Sequence, residues 1–220
     1  MRIATWNVER LEHKAQLDQM LTLCRNAGAD ILVLTETDSR IRPDYKYVFQ
    51  TPALKGVTEP AVYKDTENRV SIYTNYECTG QYRTYDENTA ICIGLNTERG
   101  NLLVYGTIIG ISGNRRKSYR EDLDRQLEDI RRLSQEGHNI CVIGDYNCTF
   151  CDNYYYTNYG RESTLKCFSE NHISILTADR PECIDHIAIT DSFVGGLNVT
   201  IDEWNEYKKL SDHKGIVISF

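Results

Sequence analysis

A strand-rich α/β fold is predicted by three features of the sequence. Short β-favouring apolar segments recur along the chain, two segments with helical spacing each fall between strand-like runs, and Asn, Gly or charged turns bound most of them. The 220 residues, 40% hydrophobic and 26% charged, can bury a full-sized core, and no repeat, low-complexity tract or linker divides 1–220, so a single domain is expected.

Residues 3–8 and 31–34 read as strands. Between them Leu17, Met20, Leu21 and Cys24 mark one helical face, which Asn26 to Gly28 brings to a stop. Residues 41–65, broken by Pro43, Pro52 and Pro60, read as loops around a short strand at 47–49. Strands at 70–74, 89–95 and 102–109 follow at a spacing that suggests antiparallel neighbours. Ser118 and Glu121 form a capping box, and Tyr119, Leu123, Leu127, Ile130 and Leu133 line one helix face that Gly137 ends. A strand at 139–144, a short helix at 163–170 and strands at 184–189, 197–201 and 216–219 complete the reading.

Composition narrows the function. With 25 Lys and Arg against 32 Asp and Glu, the net charge of −7 advertises no strong footprint on nucleic acid or anionic membrane. Phosphate chemistry stays open to such a protein, because a bound cation supplies the missing positive charge locally. The longest aliphatic run, 31–34, is far too short to span a bilayer, and Met1 to Asn7 lacks the apolar stretch of a secretory signal, so an intracellular protein without membrane contact is expected. Cys24, Cys92, Cys141 and Cys183 sit in apolar segments and read as small core residues. Cys148 and Cys151 form one CxxC with no second pair or His set to complete a zinc site.

Polar residues punctuate the strand ends: Asn7 with Glu9, Glu36, Asp145 with Asn147, and Asp212 with His213. Any one of them is an ordinary turn residue. As a set they are the oxygen-rich groups that hold Mg²⁺, which binds one or two carboxylates plus substrate phosphate and keeps several waters. On extended backbone, residues two apart point to the same side, so Asn7 and Glu9, and Asp145 and Asn147, would each enter one pocket together.

Five segments in order, Thr5-Trp6-Asn7-Val8-Glu9, Leu34-Thr35-Glu36-Thr37, Gly144-Asp145-Tyr146-Asn147, Ile184-Asp185-His186-Ile187 and Ser211-Asp212-His213, resemble the signatures of the endonuclease/exonuclease/phosphatase superfamily. The resemblance spans residues 3–215. It implies a four-layered α/β sandwich of two packed mixed β-sheets flanked by helices. It further implies that Glu36 is the principal metal carboxylate, with Asn7, Glu9 and Asp212 around the metal, and that Mg²⁺ is the cofactor, with Mn²⁺ able to replace it. By the same resemblance Asp145 orients or deprotonates the attacking water, Asn147 holds the phosphate through its amide, and Asp185 pairs with His213. His186 faces away from its neighbour Asp185 and reads as a packed, hydrogen-bonded histidine.

One position departs from the family pattern. Many relatives carry a His or Tyr after the central strand 102–107, and Ile108 stands there, unable to donate a hydrogen bond. Asn114, Arg115 or Lys117 is a replacement donor on this reading, or leaving-group stabilisation is weaker. Arg115, Arg116, Lys117 and Arg120 make the densest basic cluster, and Tyr119-Arg120 resembles a pair in abasic-site endonucleases. These basic residues, with Tyr154 and Tyr155, are candidates for substrate contact, against the plain reading of a solvated helix end and a packed aromatic loop. The expected activity is a metal-dependent phosphodiester hydrolase, a nuclease on DNA or RNA. A phosphatase or phosphodiesterase on nucleotides, inositol phosphates or lipid headgroups is the alternative, and a non-catalytic binding descendant the third reading.

Overall fold

The computed structural model describes residues 1–58 and 60–220. In chain order the elements are β1 (Arg2–Asn7), α1 (Leu17–Asn26), β2 (Ile31–Asp38), β3 (Tyr47–Gln50), β4 (Glu67–Thr74), β5 (Glu77–Tyr82), β6 (Ala90–Thr97), β7 (Gly100–Ile108), α2 (Lys117–Gln135), β8 (Ile140–Asp145), α3 (Asn158–Glu170), β9 (Ile173–Ile175), β10 (Asp185–Thr190), α4 (Asp191–Val194), β11 (Thr200–Trp204) and β12 (Gly215–Ser219). They form two mixed six-stranded sheets, β11-β12-β1-β2-β4-β3 and β5-β6-β7-β8-β10-β9, with helices on the outer faces, as the resemblance implies.

Each sheet has one parallel pair at its centre, β1 with β2 and β7 with β8, and a helix makes each crossover. The period-2 alternation of the strands decides which residues meet between the sheets. Ile3, Ile31, Val33, Val70 and Ile72 of one sheet pack against Ile93, Val104, Ile143 and Ile187 of the other. The alternate residues Ala4, Trp6, Leu32 and Leu34 cover α1, while Tyr105, Val142 and Ala188 cover α2 and α3. Asn7 continues the inward series of Ile3, Asp145 that of Cys141 and Ile143, and Asp185 that of Ile187. Polar side chains thereby reach the inter-sheet space at one end of the core.

Several local expectations need correction. The Ser118/Glu121 capping box does not form: α2 begins at Lys117 with Arg116 at the N-cap and no side-chain cap, which puts Ser118 inside the first turn, while Glu121 pairs with Lys117 at 3.7 Å. The apolar face of that helix, Tyr119 to Leu133, is buried as expected, and Gly137 follows it at φ 83°. The helix expected at 163 starts at Asn158, because the Thr157 hydroxyl accepts from the Gly160 N–H and caps it earlier. The eight cysteines are free thiols; Cys148 is buried and Cys151 exposed. Among the described residues no helix is long and apolar enough to cross a membrane.

Candidate active site

The polar doublets at the ends of β1 and β8 are shaped by side-chain turns and not by extended backbone. Strand β1 ends at Asn7, whose Oδ1 accepts the Glu9 N–H at 2.9 Å, and Glu9 sits at φ 49°. Strand β8 ends at Asp145, whose Oδ1 accepts the Asn147 N–H at 2.8 Å, with Asn147 also at φ 49°. Each doublet is thus an Asx turn, and the pleat argument of the sequence gives way to it. Glu36, at φ 44°, breaks the alternation of β2 in the same left-handed region.

Asn7 joins the two sheets. Its Nδ2 donates to Glu36 Oε1 at 3.3 Å and to Asp145 Oδ2 at 3.2 Å, and its carbonyl accepts from the Ser211 hydroxyl at 2.6 Å. The Ser211 hydroxyl also accepts the His213 N–H at 3.2 Å, and Trp6 Nε1 donates to the His213 carbonyl. These bonds fix the loop before β12 against the end of β1. His213 Nδ1 then meets Asp185 Oδ2 at 2.5 Å, and its Nε2 lies 3.6 Å from Asp212 Oδ1.

Electrostatics separate the roles of the buried groups. Burial and the charges of Asp185 and Glu36 push the Asp145 carboxyl up to about 7, against the opposing pull of His213. For His213, burial favours the neutral ring, but the charge and hydrogen bond of Asp185, aided by Asp145 and Asp212, outweigh it and raise the imidazole to about 10. At neutral pH the ring is therefore an imidazolium. Glu9 is raised by burial and by the Asp212 and Glu36 carboxylates, while its Oε2 accepts the Asp212 N–H at 3.3 Å.

That crowd of mutually repelling carboxylates is what a hard cation relieves, and the donors are oxygens of the type Mg²⁺ takes. Among the described residues no three His, Cys, Asp or Glu side chains already converge into a cage. The arrangement fits a cation that keeps much of its water, with Glu36, Asn7, Asp212 and Glu9 as the groups within reach.

Other expected residues fall into place differently. The Asn147 amide is engaged by the carbonyls of Ile109 at 3.0 Å and Gly110 at 3.4 Å, so it anchors the loop after β7 to β8. Tyr154 and Tyr155 line a cavity of about 280 Å³ together with Asp185, Asp212 and His213. Lys208, missed in the sequence, borders the same cavity; its Nζ donates to the Tyr154 hydroxyl at 2.6 Å and lies 4.3 Å from that ring. Arg115, Arg116 and Lys117 are exposed and do not line this cavity, while Arg120 lies 4.8 Å from the Tyr159 ring. Tyr119 is buried against Tyr146 and faces the core. Asn114 is buried, and its amide donates to the Asn147 carbonyl at 2.8 Å. His186 is buried, with Nδ1 at the Thr177 hydroxyl and Nε2 at the Cys148 carbonyl, each at 3.0 Å.

Acidic and imidazole groups are thus gathered at one end of a two-sheet sandwich. The model of the Endonuclease/Exonuclease/phosphatase family matches residues 4–213, and the chain belongs to that family. Among solved structures it is similar to an AP endonuclease from Archaeoglobus fulgidus, with a TM-score of 0.71, 16% identity and 100% and 99% of the two chains covered. It is also similar to a 3'-5' exonuclease from Neisseria meningitidis, with a TM-score of 0.67, 18% identity and coverage of 100% and 99%. The endonuclease domain of TRAS1, a telomere-specific non-LTR retrotransposon, gives a TM-score of 0.65 at 18% identity, covering 99% of this chain and 96% of that one. No curated protein matches the sequence significantly.

Proposed function

We propose that the protein is a divalent-metal-dependent phosphodiester hydrolase that cuts nucleic acid. The observation that carries this reading is the Asn7 amide, which ties Glu36 to Asp145 across the two sheets and so couples the cation-binding groups to a carboxylate poised near neutral pH. Asp145 takes the proton of the attacking water as the water oxygen bonds to phosphorus, a task suited to a base whose pKa lies near the working pH. His213, held as imidazolium by Asp185, presents Nε2 to the anionic phosphate and can give its proton to the departing oxygen as the P–O bond breaks. Glu36, with Asn7, Asp212 and Glu9, would hold Mg²⁺ or Mn²⁺, which would neutralise charge at the phosphoryl oxygens. The nucleic-acid reading is supported by the nuclease activities named for structural neighbours and by Tyr154 and Tyr155, which offer stacking faces beside His213.

The test is hydrolysis of labelled single-stranded, duplex and abasic-site DNA, RNA and bis(p-nitrophenyl) phosphate with Mg²⁺, Mn²⁺ or EDTA, beside Asp145→Asn. The expected result is metal-dependent cutting of a polynucleotide, lowered at least a thousandfold in the variant. Turnover confined to the small ester would transfer the site to a phosphatase or small-molecule phosphodiesterase, and undiminished turnover by Asp145→Asn would overturn its role.

A further inference from the structure

The hollows on the two sides of the Asn7–Glu36–Asp145 cluster differ in size and chemistry. The His213 side opens into the tyrosine-lined cavity described above. On the Glu36 side a smaller hollow of about 110 Å³ is bordered by Arg10, Glu36, Tyr63, Arg69, Ile108 and Ile111, and it shares no lining residue with the first. Its volume is about four waters' share of liquid, enough for a phosphate group.

Two guanidinium groups converge there on one ring: Arg10 lies 5.6 Å and Arg69 5.8 Å from the centroid of Tyr63. The register of β2 and β4, with Thr35 facing Val70 and Thr37 facing Asn68, sets Arg69 across from Glu36. Arg10, in left-handed backbone just after β1, reaches the same carboxylate, with Nε 3.5 Å from Glu36 Oε2. The Nε of Arg69 is buried and has no hydrogen-bond partner among the described residues. The carboxylate of Asp122, near enough to feel Arg69, is turned to the Gly110 N–H and the Gln126 amide instead. A buried donor without an acceptor is destabilising unless a ligand satisfies it. Walls of Ile108 and Ile111 lower the local dielectric and strengthen any anion contact made there.

We infer that this hollow is an anion subsite for a second phosphate of the substrate, adjacent along the chain to the one being cleaved, with Arg69 and Arg10 as its donors. The inference rests on the phosphodiesterase reading, which places the scissile phosphate against Asp145 and His213, on the far side of Glu36. It makes the enzyme select links that carry a neighbouring phosphate over isolated ones.

The experiment compares the dinucleotide dT-dT bearing no terminal phosphate, a 5'-phosphate or a 3'-phosphate, as substrates for the wild type, Arg69→Met and Arg69→Lys, with folding checked by circular dichroism. Expected is a kcat/KM at least tenfold higher for one of the phosphorylated forms, a preference that shrinks to within threefold in Arg69→Met and is partly restored in Arg69→Lys. Equal rates on all three substrates in the wild type, or an equal loss on all three in Arg69→Met, would overturn the subsite. Should the wild type cleave none of these dinucleotides, and no polynucleotide or small ester either, the phosphodiesterase reading is what fails. The subsite is then judged by inorganic pyrophosphate binding in EDTA, monitored by calorimetry: binding weakened tenfold in Arg69→Met upholds it, and no binding or unchanged binding refutes it.

Discussion

Replacing Asp185 with Asn isolates the charge that keeps His213 protonated. The side chains of the pair are 1% and 11% exposed, and the Nδ1–Oδ2 distance is 2.5 Å. Asn keeps the shape and can still accept from Nδ1 through its amide oxygen, so the change removes the charge and little else. Asp185 Oδ1 is buried and has no hydrogen-bond partner among the described residues, which leaves His213 as the main counterpart of that charge. Burial alone pulls the imidazole below its ordinary 6.5, and Asp185, the largest of the raising groups, together with Asp145 and Asp212 lifts it to about 10. The variant's imidazole should therefore titrate at least two pH units lower than the wild type's, which at 1.36 kcal/mol per unit is about 2.7 kcal/mol. The linkage has a definite sign. A folded-state pKa above the unfolded value gives stability that is complete below pH 6.5 and is lost as pH rises toward 10. Urea denaturation should accordingly show Asp185→Asn about 2–3 kcal/mol less stable at pH 6, a deficit that narrows at pH 9.5 and that lies at or below the low end of the roughly 3–5 kcal/mol for breaking one side of a buried ion pair, since Asn keeps the hydrogen bond. Imidazole resonances followed by NMR report the titration directly. A wild-type His213 that titrates near 6.5, or one unmoved by the substitution, would refute the reasoning.

Three further outcomes follow from the geometry. Asn7→Ala removes the donor shared by Glu36 and Asp145, so turnover should fall about a hundredfold to a thousandfold and the acidic limb of the pH–rate profile should move upward, since the charged form of Asp145 loses support. Gly144 sits at φ 136° in β8 with its Cα facing the Thr107 carbonyl, where a Cβ would overlap the oxygen; Gly144→Ala should cost 3 kcal/mol or more by chemical denaturation, whereas Gly80→Ala, in open space, should stay within about 0.5 kcal/mol. His186 is held near 4 by burial, so its contribution is complete above pH 6.5 and is lost as pH falls toward 4. The wild type should lose about 2–3 kcal/mol more than His186→Gln between pH 7 and 4.5 in urea titrations.

The central strand–helix–strand units were legible because their helices carry a clean 3.6-residue apolar period between β-branched runs. Strand β5 was not: Glu77, Cys78 and Thr79 are exposed at a sheet edge, a bulge falls between Cys78 and Gly80, and no apolar alternation marks it. Strand β9, three residues long, offers too short a pattern to read. Polar residues of the site stood out by type and order, but the mechanism that aims them, an Asx turn at the end of each central strand, replaces the expected pleat. Lys208 meets Tyr154 across 54 positions of sequence, and Arg10, Tyr63 and Arg69 are gathered by a left-handed turn and a cross-strand register. Such meetings depend on tertiary pairing that no local pattern encodes.

The strand order of the first sheet carries a consequence for how the molecule is assembled. Strand β1, near the N-terminus, lies between β2 and β12, while the whole second sheet, β5 to β10, is inserted in the sequence before β11 and β12 return to close the first. On a ribosome, Asn7, Glu36, Asp145 and Asp185 are all made before the loop that bears Asp212 and His213. The early strands must wait with one edge open until that final hairpin docks beside β1, a long-range closure of the kind that slows folding. The cluster of Asn7, Glu36, Asp145, Asp185 and His213 therefore closes only when the β11–β12 hairpin has docked beside β1.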